Sequence, residues 1–115
     1  MATPVVGEIS GYHAHVYFGE DNREPAQALR DEVTEKFPTI AMGRWHEKNV
    51  GPHPRWSYQI AFAPDLFDTL VPWLMLNRRD CTIFLHPNTG NDLKDHRDGA
   101  VWMGEMIPLK LEIFQ

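Results

Sequence analysis

The run Gly11-Tyr12-His13-Ala14-His15-Val16-Tyr17-Phe18 constrains this chain more than any other segment. Its side chains sort into two alternating sets: Ala14, Val16 and Phe18 in one, His13, His15 and Tyr17 in the other. A period of two belongs to a β-strand, whose successive side chains point to opposite faces. One face is then apolar and suited to packing beneath helices. The other carries two imidazoles and a phenol. By strand rise, His13 and His15 stand roughly 7 Å apart at their Cα atoms, near enough to share a metal ion or a bound substrate.

At 115 residues, 43% of them hydrophobic, the chain reads as one domain over 1–115 with a modest core. A net charge of −5, with no Lys/Arg run, argues against a nucleic-acid partner. The pair Arg78-Arg79 reads as a helix end, where cations suit the dipole. Cys81 is the only cysteine, which rules out a disulfide within the chain and a zinc ribbon, and fits a reducing cytoplasm. It reads as a small buried hydrophobe. No apolar stretch approaches the roughly 20 residues that cross a bilayer, and Met1-Ala2-Thr3-Pro4 does not open a signal peptide. No membrane partner is expected.

Along the chain, residues 1–10 read as a loose lead-in and 11–19 as a first strand. Asp21-Asn22 offers a helix N-cap, with Pro25 in the first turn. Ala26, Leu29, Val33 and Phe37 then recur at helical spacing, and Pro38 ends that helix. Residues 39–46 read as a second strand, 47–55 as a loop, and 56–62 as a third strand. Pro64 begins a second helix whose buried face is Leu66, Phe67, Leu70, Val71, Leu74 and Met75. Pro72 should kink or split it. Residues 81–86 form a fourth strand and 87–100 a long polar loop, and Leu109–Phe114 returns to strand character.

The order β-α-β-β-α-β predicts an α+β, ferredoxin-like fold with an antiparallel sheet. Its strand order is 4-1-3-2, with the first strand antiparallel to the fourth and parallel to the third. Helices cover one face. No element remains for the other, so pairing of two copies into a dimeric α/β-barrel is expected. This order brings His13 and His15 beside His86, and sets His53, Arg44 and His46 at the same edge. His96 can fold over it.

Converging neutral imidazoles suit a divalent transition metal. A third ligand can be Glu47, Asp92, Asp95 or another histidine. A remaining histidine can move protons, since its pKa lies near neutrality, and Tyr17 and Arg44 can orient a phenolate or carboxylate. Blander readings stand beside these: an exposed His13/His15 pair, His53 capping a rigid loop between prolines, His46 on the surface, and His96 ordering its own loop.

Taken together, Tyr12-His13-Ala14-His15-Val16-Tyr17, Gly51-Pro52-His53-Pro54, Leu85-His86-Pro87-Asn88-Thr89-Gly90, Asp95-His96 and Ala100-Val101-Trp102-Met103-Gly104 with Pro108-Leu109 resemble the DOPA 4,5-dioxygenase family. The resemblance runs from about residue 10 to the C-terminus. It implies a dimeric α/β fold and extradiol cleavage of a catechol such as L-DOPA, with Fe(II) and dioxygen. Zinc or another divalent ion can stand in for iron in isolated protein. Family histidines carry over to His13, His15, His53, His86 and His96. The resemblance alone leaves open which of these bind metal; His13, His15 and His86 are expected as ligands because rigid strands hold them, with His53 and His96 in catalysis and Tyr17 and Arg44 contacting substrate. Asn91 departs from the pattern, standing where an acidic residue would follow Gly90. Two other classes remain: a non-catalytic dimeric barrel that binds a metal or aromatic molecule, and a structural dimer whose histidines bind nothing.

Overall fold

The run from Gly11 to Phe18 is a central strand. A computed structural model describes residues 5–115, in which Gly11–Phe18 forms β1. The other elements are α1 (Arg23–Lys36), β2 (Ala41–Met42), β3 (Trp56–Phe62), α2 (Phe67–Asn77), β4 (Thr82–Asn88), α3 (Asp92–Arg97) and β5 (Val101–Met103). Short 3-10 turns at Glu20–Asn22 and Pro64–Leu66 lead into α1 and α2. Of the expected lead-in, residues 1–4 lie outside the described residues, and Val6–Glu8 forms one 3-10 turn. No helix among the described residues is long and apolar enough to cross a membrane.

The sheet has the order β2-β3-β1-β4-β5 and is antiparallel throughout. The strand order is as expected, but the direction of the third strand is not. β1 runs antiparallel to β3, with Tyr12 opposite Phe62 and Phe18 opposite Trp56. The reason is connectivity. Passage through α1 returns the chain in the direction of β1, and the turn from β2 to β3 then reverses it.

The alternation in β1 divides the two faces as its sequence requires. Ala14, Val16 and Phe18 pack with Ala26, Leu29 and Val33 of α1 and Leu70, Val71 and Leu74 of α2. Tyr17 lies on the other face, packed with Phe84 and Ile107. Pro72 sits inside α2 without dividing it. Cys81 is fully buried, and burial pushes its thiol up to about 11, so it serves as a small apolar side chain.

Three expectations fail locally. The second strand shrinks from 39–46 to Ala41–Met42, because the chain closes tightly on β3 at Gly43. Its amide donates to the Gln59 carbonyl at 2.7 Å, and a Cβ there would lie 3.1 Å from that oxygen. Arg30 takes the Gly43 carbonyl, and Trp45 turns onto Phe18, leaving a single bridge between His46 and Ser57. The polar loop contains α3, capped by Asn91, whose Oδ1 accepts from the Lys94 amide at 3.1 Å. The added strand is β5 rather than Leu109–Phe114. β5 occupies the free edge of β4, and Leu111–Phe114 curls into a 3-10 turn.

Those last two segments change how the second face is covered. α3 and the stretch after β5 lie over it, tied down where the Lys110 amide donates to the Pro52 carbonyl at 2.9 Å. Phe114 packs against His96 with ring centroids 4.5 Å apart. The chain therefore supplies part of the cover that the sequence left to a second copy.

Candidate metal centre

The antiparallel register of β1 and β4 sets His13 directly opposite His86. His15, two residues along β1, shares their face. His15 and His86 are buried and His13 is half-buried. One ring nitrogen from each of the three can be chosen so that all lie within 4.8 Å of one another. The Nε2 atoms of His15 and His86 are 3.0 Å apart. Two nitrogens bound to one ion at about 2.1 Å and roughly a right angle are separated by about this distance.

The His86 tautomer suits the same purpose. His86 Nδ1 lies 2.9 Å from the Pro87 carbonyl, which only accepts, so Nδ1 carries the proton and Nε2 keeps its lone pair. Metal-bound histidines commonly hold their second nitrogen in this way. Burial drives His15 well below its ordinary pKa, lowers His13, and brings His86 down to about 4. Neighbouring imidazoles add to each shift. Near neutral pH these groups are unprotonated, as metal binding requires. The donor set fits a divalent transition metal.

His53 and His96 flank the three. The expected route for His53, beside the start of β1, is not the one taken. The β1–β3 register puts it at the Tyr17 end, and the 47–55 loop folds it back over the face. Its ring centroid comes within 4.1 Å of that of His15. Its Nδ1 meets the Tyr17 hydroxyl at 2.6 Å. Burial, reinforced by His96 and His86, takes His53 down to about 4. His96, on α3, approaches His86 with centroids 4.0 Å apart, and its Nδ1 donates to the Asp92 carbonyl at 2.7 Å.

Arg44 and His46 lie where β2 loosens. They line a cavity of about 200 Å³ together with His15, His53, Ser57 and Gln59. The carboxylates considered as ligands are engaged elsewhere or stand outside the cluster. Glu47 pairs with Arg23 and accepts from the Trp45 indole. Asp95 is buried and accepts from the Thr89 amide and hydroxyl at 2.8 and 2.6 Å. Asp92 is exposed. Asp95→Ala strands the Thr89 amide and loosens the turn into α3. Urea unfolding should show a loss of about 1–3 kcal/mol, and an unchanged midpoint would refute this role.

Sequence reasoning missed Phe84, Trp102 and Phe114 as walls of the site. Phe84 lies beneath His15 with centroids 5.7 Å apart, and Trp102 stacks on Phe84 at 4.7 Å. The alternation in Thr82-Ile83-Phe84-Leu85-His86 carried the signal, since Phe84 shares the face of His86.

Residues 12–113 match the profile of the Dopa 4,5-dioxygenase family. The chain belongs to that family. It is 33% identical to the DOPA 4,5-dioxygenase of Amanita muscaria over 119 residues, an alignment spanning 96% of this chain and 52% of that protein. It is 32% identical over 113 residues to the "Uncharacterized 21.2 kDa protein" of Botryotinia fuckeliana, spanning 89% of this chain and 62% of that one. The chain thus spans a little over half the length of these curated relatives. The crystal structure of a "putative dioxygenase" from Nostoc punctiforme PCC 73102 superposes with a TM-score of 0.93 at 43% identity, covering 96% of this chain and 95% of the other. The family match takes in all five clustered histidines.

Proposed function

We propose that this member of the Dopa 4,5-dioxygenase family is an extradiol ring-cleaving dioxygenase, using Fe(II) and dioxygen on a catechol such as L-DOPA. The observation that carries the reading is the His13, His15 and His86 cluster, with one nitrogen from each within 4.8 Å of the others. In this reading those three imidazoles hold the metal. When bound, the ion would hold the diol and dioxygen together and relay electrons from the catechol to the oxygen.

The remaining residues position and move protons. His53, unprotonated at neutral pH, accepts a proton from a catechol hydroxyl through Nε2. His96 stands on the other side of His86 as a second proton carrier. Arg44, exposed at the cavity rim, offers its guanidinium to a substrate carboxylate. Phe84, Trp102 and Phe114 exclude water from one side of the site. The fold is read as a single ferredoxin-like domain that pairs into a homodimer and works in a reducing cytoplasm. A monomer mass by light scattering would remove the pairing.

The test is anaerobic loading with Fe(II), then L-DOPA, then air. A yellow ring-opened semialdehyde should form with uptake of one dioxygen per catechol. Iron held at one per chain without oxygen uptake, across L-DOPA and a panel of catechols, overturns the catalytic reading.

A further inference from the structure

Tyr17 lies on the sheet face that carries the histidines, yet it is 1% exposed. Its ring packs against Phe84 and Ile107 and lies 6.1 Å from the Trp102 ring. Its hydroxyl is the hydrogen-bond partner of His53 Nδ1, at 2.6 Å. A phenol so enclosed has no surface to offer a ligand. His53 is in the opposite situation. It projects from a loop containing Gly51, Pro52 and Pro54 rather than from a strand, and it lines the 200 Å³ cavity together with His15. A loop side chain beside a reacting centre needs something rigid to set its ring plane, and β1 is central in the sheet.

We infer that Tyr17 is a positioning residue whose hydroxyl oxygen accepts from His53 Nδ1–H, leaving the Nε2 lone pair as the one presented to substrate. The inference rests on the proposed acid/base role of His53 and replaces substrate contact as the role of Tyr17. Holding one ring nitrogen fixes both the plane of the imidazole and the nitrogen that exchanges a proton. Carbonyls and carboxylates serve histidines in the same way at other sites. The anchoring side chain belongs to the strand that carries His13 and His15, so the three move as one body.

Tyr17→Phe removes the hydroxyl and keeps the ring. In the iron-loaded protein, kcat should fall roughly 10- to 100-fold, with KM for the catechol within about twofold and iron content unchanged. In a His53→Ala background the same change should cost almost nothing further, because its effect passes through His53. A rise in KM at constant kcat, or full additivity with His53→Ala, overturns the inference. Long-range ¹⁵N spectra of the metal-free protein supply a readout that needs no turnover. The His53 Nδ1 resonance should move in Tyr17→Phe, and a fixed resonance refutes the anchor. If wild-type protein binds iron but turns over no catechol while this resonance moves, the dioxygenase reading falls and the anchor stands.

Discussion

His86→Ala is expected to lose stoichiometric metal binding. His86 is 1% exposed, held at Nδ1 by the Pro87 carbonyl, and has its Nε2 3.0 Å from that of His15. Removing it takes one of three nitrogens from the cluster and leaves two. Loss of residues that merely orient a ligand costs about 10- to 100-fold in metal affinity, so loss of a ligand should cost roughly 100-fold or more, and oxygen-dependent turnover with it. Equilibrium dialysis against Fe(II) or Zn(II) measures this directly. His13→Ala, at a half-buried position, should do the same with less disturbance to the core and serves if His86→Ala fails to fold. Glu47→Gln and Asp92→Asn should keep their metal. If either releases it while His13→Ala retains it, the ligand set is two histidines and a carboxylate instead.

The parts of this site that were legible in the sequence are those that regular structure controls. Alternation in β1 separated Ala14, Val16 and Phe18 from His13, His15 and Tyr17, and both sets lie on the faces predicted. The β1–β4 pairing put His86 beside them, because an antiparallel register follows from strand order. What escaped was set by segments without a period. His53 was recognisable as a loop histidine, but the path carrying its ring to His15 depends on how residues 47–55 fold back, and nothing repeats there to read. α3 is short and polar, with only Asn91 at its N-cap to announce it. Leu109–Phe114 has the alternation of a strand, but β5 already fills the edge it would need. A strand pattern states that a segment can pair, and competition for edges decides whether it does.

The metal-free protein should lose stability steeply as pH falls from about 6.5 toward 4. His53 and His86 have pKa values lowered to about 4 in the folded state, against 6.5 when solvated, chiefly by burial. His15 and His13 are lowered as well, also chiefly by burial. Well above pH 6.5 these groups are neutral in both states, so the slope there is flat. Between 6.5 and 4 the unfolded chain binds protons that the folded chain refuses, so the unfolded state gains with every step of acidification. A difference of about 2.5 units is worth about 3 kcal/mol for each of His53 and His86. Their combined contribution is comparable with the roughly 5–15 kcal/mol total stability of a small domain. Urea midpoints of the metal-free protein, taken in half-unit steps of pH, should therefore fall through this window and approach zero near its lower end. His53→Ala should flatten the curve, since it removes one of the groups whose pKa burial lowers strongly. Bound metal should also hold the midpoint up to lower pH, because a metal-bound imidazole cannot accept the proton. A midpoint that stays level from pH 6.5 to 4.5 without metal would mean that these histidines are hydrated enough to protonate in place, and that the site is far more open than its burial implies.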